Sequence, residues 1–419
     1  MPWVAIGNQA ERILERFILS AESLNMTKPL SGIRVLDFSQ LLPGPLCTQH
    51  LADMGAEVLK IENRTTGDAV RFSPNGELSM LFLLLNRNKR SLSVDLRQEA
   101  GVALVHKLVK DADIVVEGFR PGAMARLGMS YETLHAINPR LVYCSITGYG
   151  QTGPYVAKGG HDINYQGYAG ILDQSGAADG VPAQGNFQIA DLAGGTLSAA
   201  MGILAALFDA QRSGHGRHVD VSMTDCAMAH NIMPMAALQS YGEGRPLPRG
   251  DDYTSGRLPC YGVYETADGR YLALGAIEPH FWQNFCAAIE RPDLLPRGFA
   301  LGEEAPAARA EIAELIKSRN FSEWSALLEN VDGCTTPALR LDEAIEHPNT
   351  KARGMIVDCE HPEMQRGNFR QYAFPIKMSD FDFGIERRPP LLGEHNNEVL
   401  ADLGYGAEEI AELRKNGVA

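Results

Sequence analysis

The sequence predicts an α/β protein: a large domain built on an open, doubly wound parallel sheet, plus a smaller α+β domain. Three observations predict it. Short apolar, β-branched runs alternate with segments of helical periodicity through about the first 150 residues, the pattern of strands joined by crossover helices. Turns rich in glycine and proline follow those runs, where an open parallel sheet takes its ligands. Finally, 419 residues are more than one ordinary core serves, so two domains or more are expected.

The elements follow in order. Gly32–Ser39 is a buried-strand pattern, and after Pro43-Gly44-Pro45 come Cys47, Leu51, Met54 and Ala56 at helical spacing. Gly55–Glu62 stops that helix and supplies a second strand, so the unit has the length that a right-handed parallel crossover needs. The pattern then repeats: a strand at Ser91–Asp95, a helix over 98–111, a strand at Ile114–Glu117, a short helix over 131–137 and a strand at Leu141–Ile146. Residues 195–212 form a long apolar helix, and His218–Met223 alternates like a strand. The Met- and Ala-rich stretch 226–241 reads as core or subunit interface, and Gly242–Gly256, rich in Gly, Pro, Arg and Asp, as a linker. A hairpin, Tyr261–Thr266 and Arg270–Ala276 around Ala267-Asp268-Gly269, opens the second domain. Helices follow at 279–289, 305–318 and 321–330; a polar, proline-containing stretch follows Pro362, and a final amphipathic helix spans about 396–415.

Composition narrows the function. Hydrophobic content of 45% with 21% charged residues is that of a folded globular chain, and a net charge of −14 speaks against nucleic acid as a partner. Seven cysteines without a C-x-x-C pair suggest free thiols in a reducing cytoplasm, with no metal site. No apolar run reaches the length of a membrane span, and residues 9–24, amphipathic and carrying glutamates, fit neither a secretion signal nor a transit peptide. Gly148-x-Gly150-x-x-Gly153 has a dinucleotide-site spelling, but Pro154 follows and no helix opens; there is no P-loop.

Chemistry concentrates between Gly148 and Gly195. His161 lies in the glycine-rich run Gly159-Gly160-His161-Asp162, as an acid–base group or as a loop histidine bonding a carbonyl. Asp191 sits at the start of the apolar helix, where free N–H groups favour a negative charge; it is a simple cap or a catalytic carboxylate. Glu278, between a strand end and Pro279, is a first-turn glutamate by one reading and a partner of His161 by the other. Lys89-Arg90, Arg97, Arg120 and Arg126 form a solvated basic face or clamp a phosphate-bearing ligand at the strand–helix junctions.

Taken together, these residues resemble the class III CoA-transferase (CaiB/BaiF) superfamily from about residue 27 onward. The match is carried by Leu30–Phe38, Gly55–Glu62, Asn86–Ser91, Glu117–Gly122 and the Asp191 segment. Gly160–Tyr165, Thr266–Gly269, Gly275–Pro279, Thr336-Pro337 and Gly393–His395 look like the α-methylacyl-CoA racemase branch. The resemblance implies a Rossmann-like large domain over 27–225 completed by 363–419, a linker over 226–256, a small domain over 257–362, and an N-terminal appendage over 1–26. It also implies an interlocked homodimer with shared active sites, an acyl-CoA substrate and no separate cofactor. By position, contacts to coenzyme A carry over to Leu42, Pro43, Val94, Asp95, Leu96, Arg97, Gly118, Phe119, Arg120 and Arg126. Lys158, Gly159 and Gly160 complete that set.

Two activities follow from it. In a racemase, His161 and Asp191 exchange the α-proton of a thioester on opposite faces, with Glu278 polarising His161. In a CoA transferase, Asp191 alone attacks the thioester and carries the acyl and CoA groups in turn.

Overall fold

The computed structural model describes residues 28–240, 244–364 and 367–419. The expected appendage, 1–26, lies outside the described residues. The described residues fall into two compact units: those of 28–158, 191–223 and 354–419 form the first, and those of 159–190 and 224–353 the second.

The first unit holds a six-stranded, all-parallel sheet. Its strands are β1 (Arg34–Asp37), β2 (Glu57–Asn63), β3 (Lys89–Val94), β4 (Ile114–Glu117), β5 (Val142–Thr147) and β6 (His218–Ser222), in the order β3-β2-β1-β4-β5-β6. The chain winds outward from β1 in one direction and from β4 in the other, so the two meet at a switch point where the crossovers diverge. Open sheets of this kind bind ligands outside the carboxyl ends of the strands there. Near-continuous burial along β1 to β5 fits strands covered on both faces. One face packs Leu36, Phe38, Leu92, Val94, Val115 and Tyr143 against helical residues such as Leu104, Val105 and Leu134. The helix Pro43–Asp53 follows β1 across the short loop 38–42, with proline in its first turn. Gly44 is required there, because a Cβ would sit 2.2 Å from that of Ser39.

Within the second unit, β7 (Tyr261–Glu265), β8 (Tyr271–Gly275) and β9 (Thr335–Pro337) make an antiparallel sheet of three strands. Its core gathers Leu272, Leu274, Trp282, Phe285, Ile312, Ile316 and Trp324 from that sheet and the helices Pro279–Ala288, Ala305–Lys317 and Phe321–Leu328.

Four expectations are corrected. The stretch after Pro362 is not merely polar: within it β11 (Asn368–Tyr372) pairs with β10 (Ile356–Glu360) as an antiparallel hairpin of the first unit. The final helix is two, Asn396–Asp402 and Ala407–Lys415, separated by a turn with Gly404 at φ 84°. The expected linker is partly helical, with segments at Ile232–Ser240 and Tyr253–Arg257. Against the expectation that no apolar run has the length of a membrane span, the helical stretch Ala190–Ser213 reaches it by length and composition alone, with 44% of its most apolar part buried inside the protein.

Candidate active site

The expected coenzyme A contacts of the first unit cluster at the carboxyl ends of its strands. Leu42 and Pro43 follow β1; Val94 ends β3 and Asp95, Leu96 and Arg97 follow it; Gly118, Phe119 and Arg120 follow β4. β1 and β4 are the pair that flanks the switch point. Arg126 closes the short helix Ala123–Arg126 beyond that loop, and Lys158 sits over the Tyr155 ring at 4.1 Å. Arg97 bonds Asp95 through Nε and Nη2 at 2.9 and 3.1 Å, and these hydrogen bonds hold the Asp95 carboxyl down at about 2.

Lys89 is not a surface cation. It is fully buried at the start of β3, with its ammonium 3.0 Å from Asp37 Oδ2 and 2.8 Å from the Pro45 carbonyl. Burial pulls its pKa down to about 8 against the attraction of Asp37. Arg90 points out to Glu398 and Asp402. A phosphate clamp therefore excludes Lys89. In a sequence, Lys-Arg reads as surface; only the register of β3, which turns Lys89 toward Asp37, separates the two.

Sequence reasoning also passed over two buried acids. Asp37 ends β1 with no exposure; burial alone would raise its carboxyl, but Lys89, Lys60, Ser39 and Thr48 hold it at about 2. Glu117 ends β4, accepts the Phe119 N–H at 2.8 Å, and is pushed up to about 7 by burial. The available signal was an acid terminating an otherwise apolar strand beside the switch point.

In the second unit, Gly159 and Gly160 lead to His161, which caps the helix Asp162–Tyr168 and donates its backbone N–H to Asn164 Oδ1 at 3.0 Å. The helix was not expected; the glycines before it had suggested a loop. Tyr165 donates its hydroxyl to the Gly160 carbonyl at 2.5 Å, which fixes the chain entering His161. Asp162 Oδ1 accepts the Ala190 N–H at 2.7 Å. The residue after His161 is thus bonded to the residue before Asp191. Asp191 opens the first turn of a π-helical segment, Ala190–Leu197, that continues as the helix Ser198–Ser213. In the first unit, Gly195 is buried where a Cβ would lie 2.8 Å from Pro43, and Thr196 Oγ1 donates to the Pro43 carbonyl at 2.8 Å. The start of the Asp191 helix is therefore tied to the loop after β1. Glu278 is exposed and stands at the N-cap position of the helix Pro279–Ala288 without a side-chain hydrogen bond to that helix. Among the described residues, no group of three or more His, Cys, Asp or Glu side chains is arranged to hold a metal.

The family model for CoA-transferase family III matches residues 30–396. The chain belongs to that family. It is 33% identical to the human α-methylacyl-CoA racemase over 93% of this chain and 97% of the relative. It is 36% identical to a succinate–glutarate CoA-transferase of Agrobacterium fabrum, over 90% and 96%. A CaiB/BaiF family protein from Brucella suis has the same fold with a TM-score of 0.77 and 32% identity, covering 90% of this chain and all of that one. Family III relatives thus carry both racemase and CoA-transferase names at similar identity, and the family alone does not select between the two activities.

Proposed function

We propose that this family III protein is a racemase or epimerase that inverts the α-carbon of a 2-methyl-branched acyl-CoA by two-base proton transfer. The hydrogen bond from Ala190 to Asp162 is what supports the reading: it joins the residue before Asp191 to the residue after His161. A transferase needs the carboxylate alone.

The thioester makes the α-proton acidic once its carbonyl oxygen is stabilised. A neutral His161 imidazole takes that proton from one face, and a protonated Asp191 returns one to the other; the roles swap with substrate hand. Glu278 polarises or orients His161. Backbone N–H groups at the start of the Asp191 helix, by Gly194 and Gly195, stabilise the developing enolate oxygen. Leu42, Pro43, Val94 to Arg97, Gly118 to Arg120, Arg126 and Lys158 to Gly160 hold the coenzyme A portion of the substrate, and no separate cofactor takes part. The exposed apolar face of Leu197, Met201 and Phe208 supports an interlocked homodimer, and seven cysteines outside any disulfide are consistent with a cytoplasmic setting.

The second reading, favoured by the succinate–glutarate relative, is a CoA transferase. Asp191 displaces CoA thiolate to form an acyl anhydride; the thiolate then attacks the aspartyl carbonyl, releasing the first acid and leaving an aspartyl-CoA thioester for the second.

Incubation with a branched 2-methylacyl-CoA in D₂O, without acceptor acid, tests the choice. Deuterium at Cα with loss of optical purity is expected, and Asp191→Asn or His161→Gln lowers that rate about 10²–10⁴-fold. Absence of exchange, together with a hydroxylamine-trapped adduct at Asp191, decides for the transferase.

A further inference from the structure

The loop between β1 and the helix Pro43–Asp53 has an unusual backbone. Leu41 lies in the left-handed region at φ 69°, with 46% of its surface exposed. A branched side chain is strained there, and its exposure returns little burial energy, so other contacts must hold the turn.

Those contacts come from beneath the loop. The Leu41 N–H donates to Asp68 Oδ1 at 3.1 Å, and that oxygen also accepts from Val70 N at 3.1 Å. Asp68 Oδ2 is 2.9 Å from the Lys60 ammonium, and neither side chain is exposed. Lys60 Nζ also donates to the Ser39 carbonyl at 2.8 Å and stands 3.9 Å from Asp37 Oδ2. Asp37 Oδ1 in turn accepts the Ser39 N–H at 3.0 Å. One buried cation and two buried carboxylates therefore grip Ser39 and Leu41 by their backbones. Lys60 projects from β2, where a lysine would be costly without both partners.

We propose that Lys60 and Asp68 are positioning residues for substrate binding: together they hold Leu41 left-handed and so set Leu42 and Pro43 against the coenzyme A portion of the thioester. The proposal rests on the reading of this loop as a coenzyme A contact. Asp68 is the latch, because it alone joins the Leu41 amide to the buried lysine. Neither residue touches the reacting carbon.

The test compares wild type, Asp68→Ala, Leu41→Gly and the double variant, using full-length protein, calorimetric binding of free coenzyme A, and turnover of one acyl-CoA. Asp68→Ala is expected to weaken coenzyme A binding and raise KM about 10- to 100-fold with kcat within about threefold, the signature of lost ground-state binding. Adding Leu41→Gly is expected to restore at least about tenfold of that loss, since glycine enters the left-handed region without strain. Structural damage elsewhere would not be repaired by a glycine at position 41. Failure of the glycine to rescue, or binding by Asp68→Ala within twofold of wild type, overturns the latch while leaving the coenzyme A reading intact. A wild-type protein that binds neither coenzyme A nor its esters overturns both. Faster amide exchange in residues 39–44 of Asp68→Ala, and slower exchange in the double variant, support the latch without any ligand; unchanged exchange counts against it.

Discussion

Glu117 illustrates how a single residue's chemistry is set by its place. It is 4% exposed at the carboxyl end of β4. Burial raises its carboxyl from 4.5 to about 7 and Asp220 adds to the rise, while the Ser145 hydroxyl and the Phe119 N–H oppose it. Ser145 Oγ lies 3.0 Å from His218 Nε2, and the His218 ring stacks on Tyr131 at 5.1 Å. Between pH 4.5 and 7 the folded protein retains a proton that the unfolded chain has released, so stability falls as pH rises through that window. At about 1.4 kcal/mol per pH unit the loss comes to about 3 kcal/mol. Glu117→Gln escapes it. Urea unfolding of the variant and wild type at pH 5 and pH 8 should show the variant's relative stability rising with pH; an equal difference at both values would mean that this carboxyl does not titrate there.

At the scale of elements, the outer edge of the sheet is closed by chain some 300 residues further on. Asn396 Oδ1 accepts the Ser93 N–H at 2.9 Å, and its amide nitrogen donates to the Ser93 carbonyl and hydroxyl at 3.2 and 3.1 Å. His395 N donates to the Ser91 carbonyl at 3.1 Å, and Asp95 N to the Val418 carbonyl at 2.8 Å. An edge strand left with bare N–H and C=O groups invites wrong pairing, and these contacts remove the template. Replacing Asn396 by Ala leaves the buried Ser93 N–H without its acceptor, which costs about 1–3 kcal/mol. A fall in the urea midpoint at unchanged slope is the expected result; an unchanged midpoint would assign β3's protection to the neighbouring backbone bonds alone. Val399 and Leu400, buried with the sheet core, explain why this C-terminal helix settles on β3.

For the whole molecule, the telling feature is the apolar surface left open by one chain. Leu197, Met201 and Phe208 are 57%, 68% and 62% exposed along the helical stretch that begins at Asp191. Apolar faces of this kind mark interaction sites rather than solvent-facing helix. If the proposed homodimer is right, Met201→Glu with Phe208→Glu shifts the sedimenting species from dimer to monomer and abolishes turnover. A monomeric wild type, or a variant that sediments unchanged, would rule out this face as the interface.

Much of the parallel sheet was legible because its strands are short β-branched runs and its crossovers are amphipathic, and both periodicities are local. The second unit's hairpin was legible for the same reason, through the turn at Asp268-Gly269. The hairpin at 356–372 was not, since β11 buries the polar Gln371 where alternation calls for an apolar residue, and its strands take their order from pairing with each other. The Asp162 helix was hidden by the glycines in front of it.

The sequence by itself determined the alternation of strand and helix and the family, because these depend on neighbours within a few positions. Only the tertiary structure decided that Lys89 is buried while Arg90 is not, that Glu117 is an acid poised near neutrality, and that Asp68 bears on Leu41. Charge and solvation depend on what lies across the sheet, and contacts between residues 27 or more positions apart leave no periodicity to read.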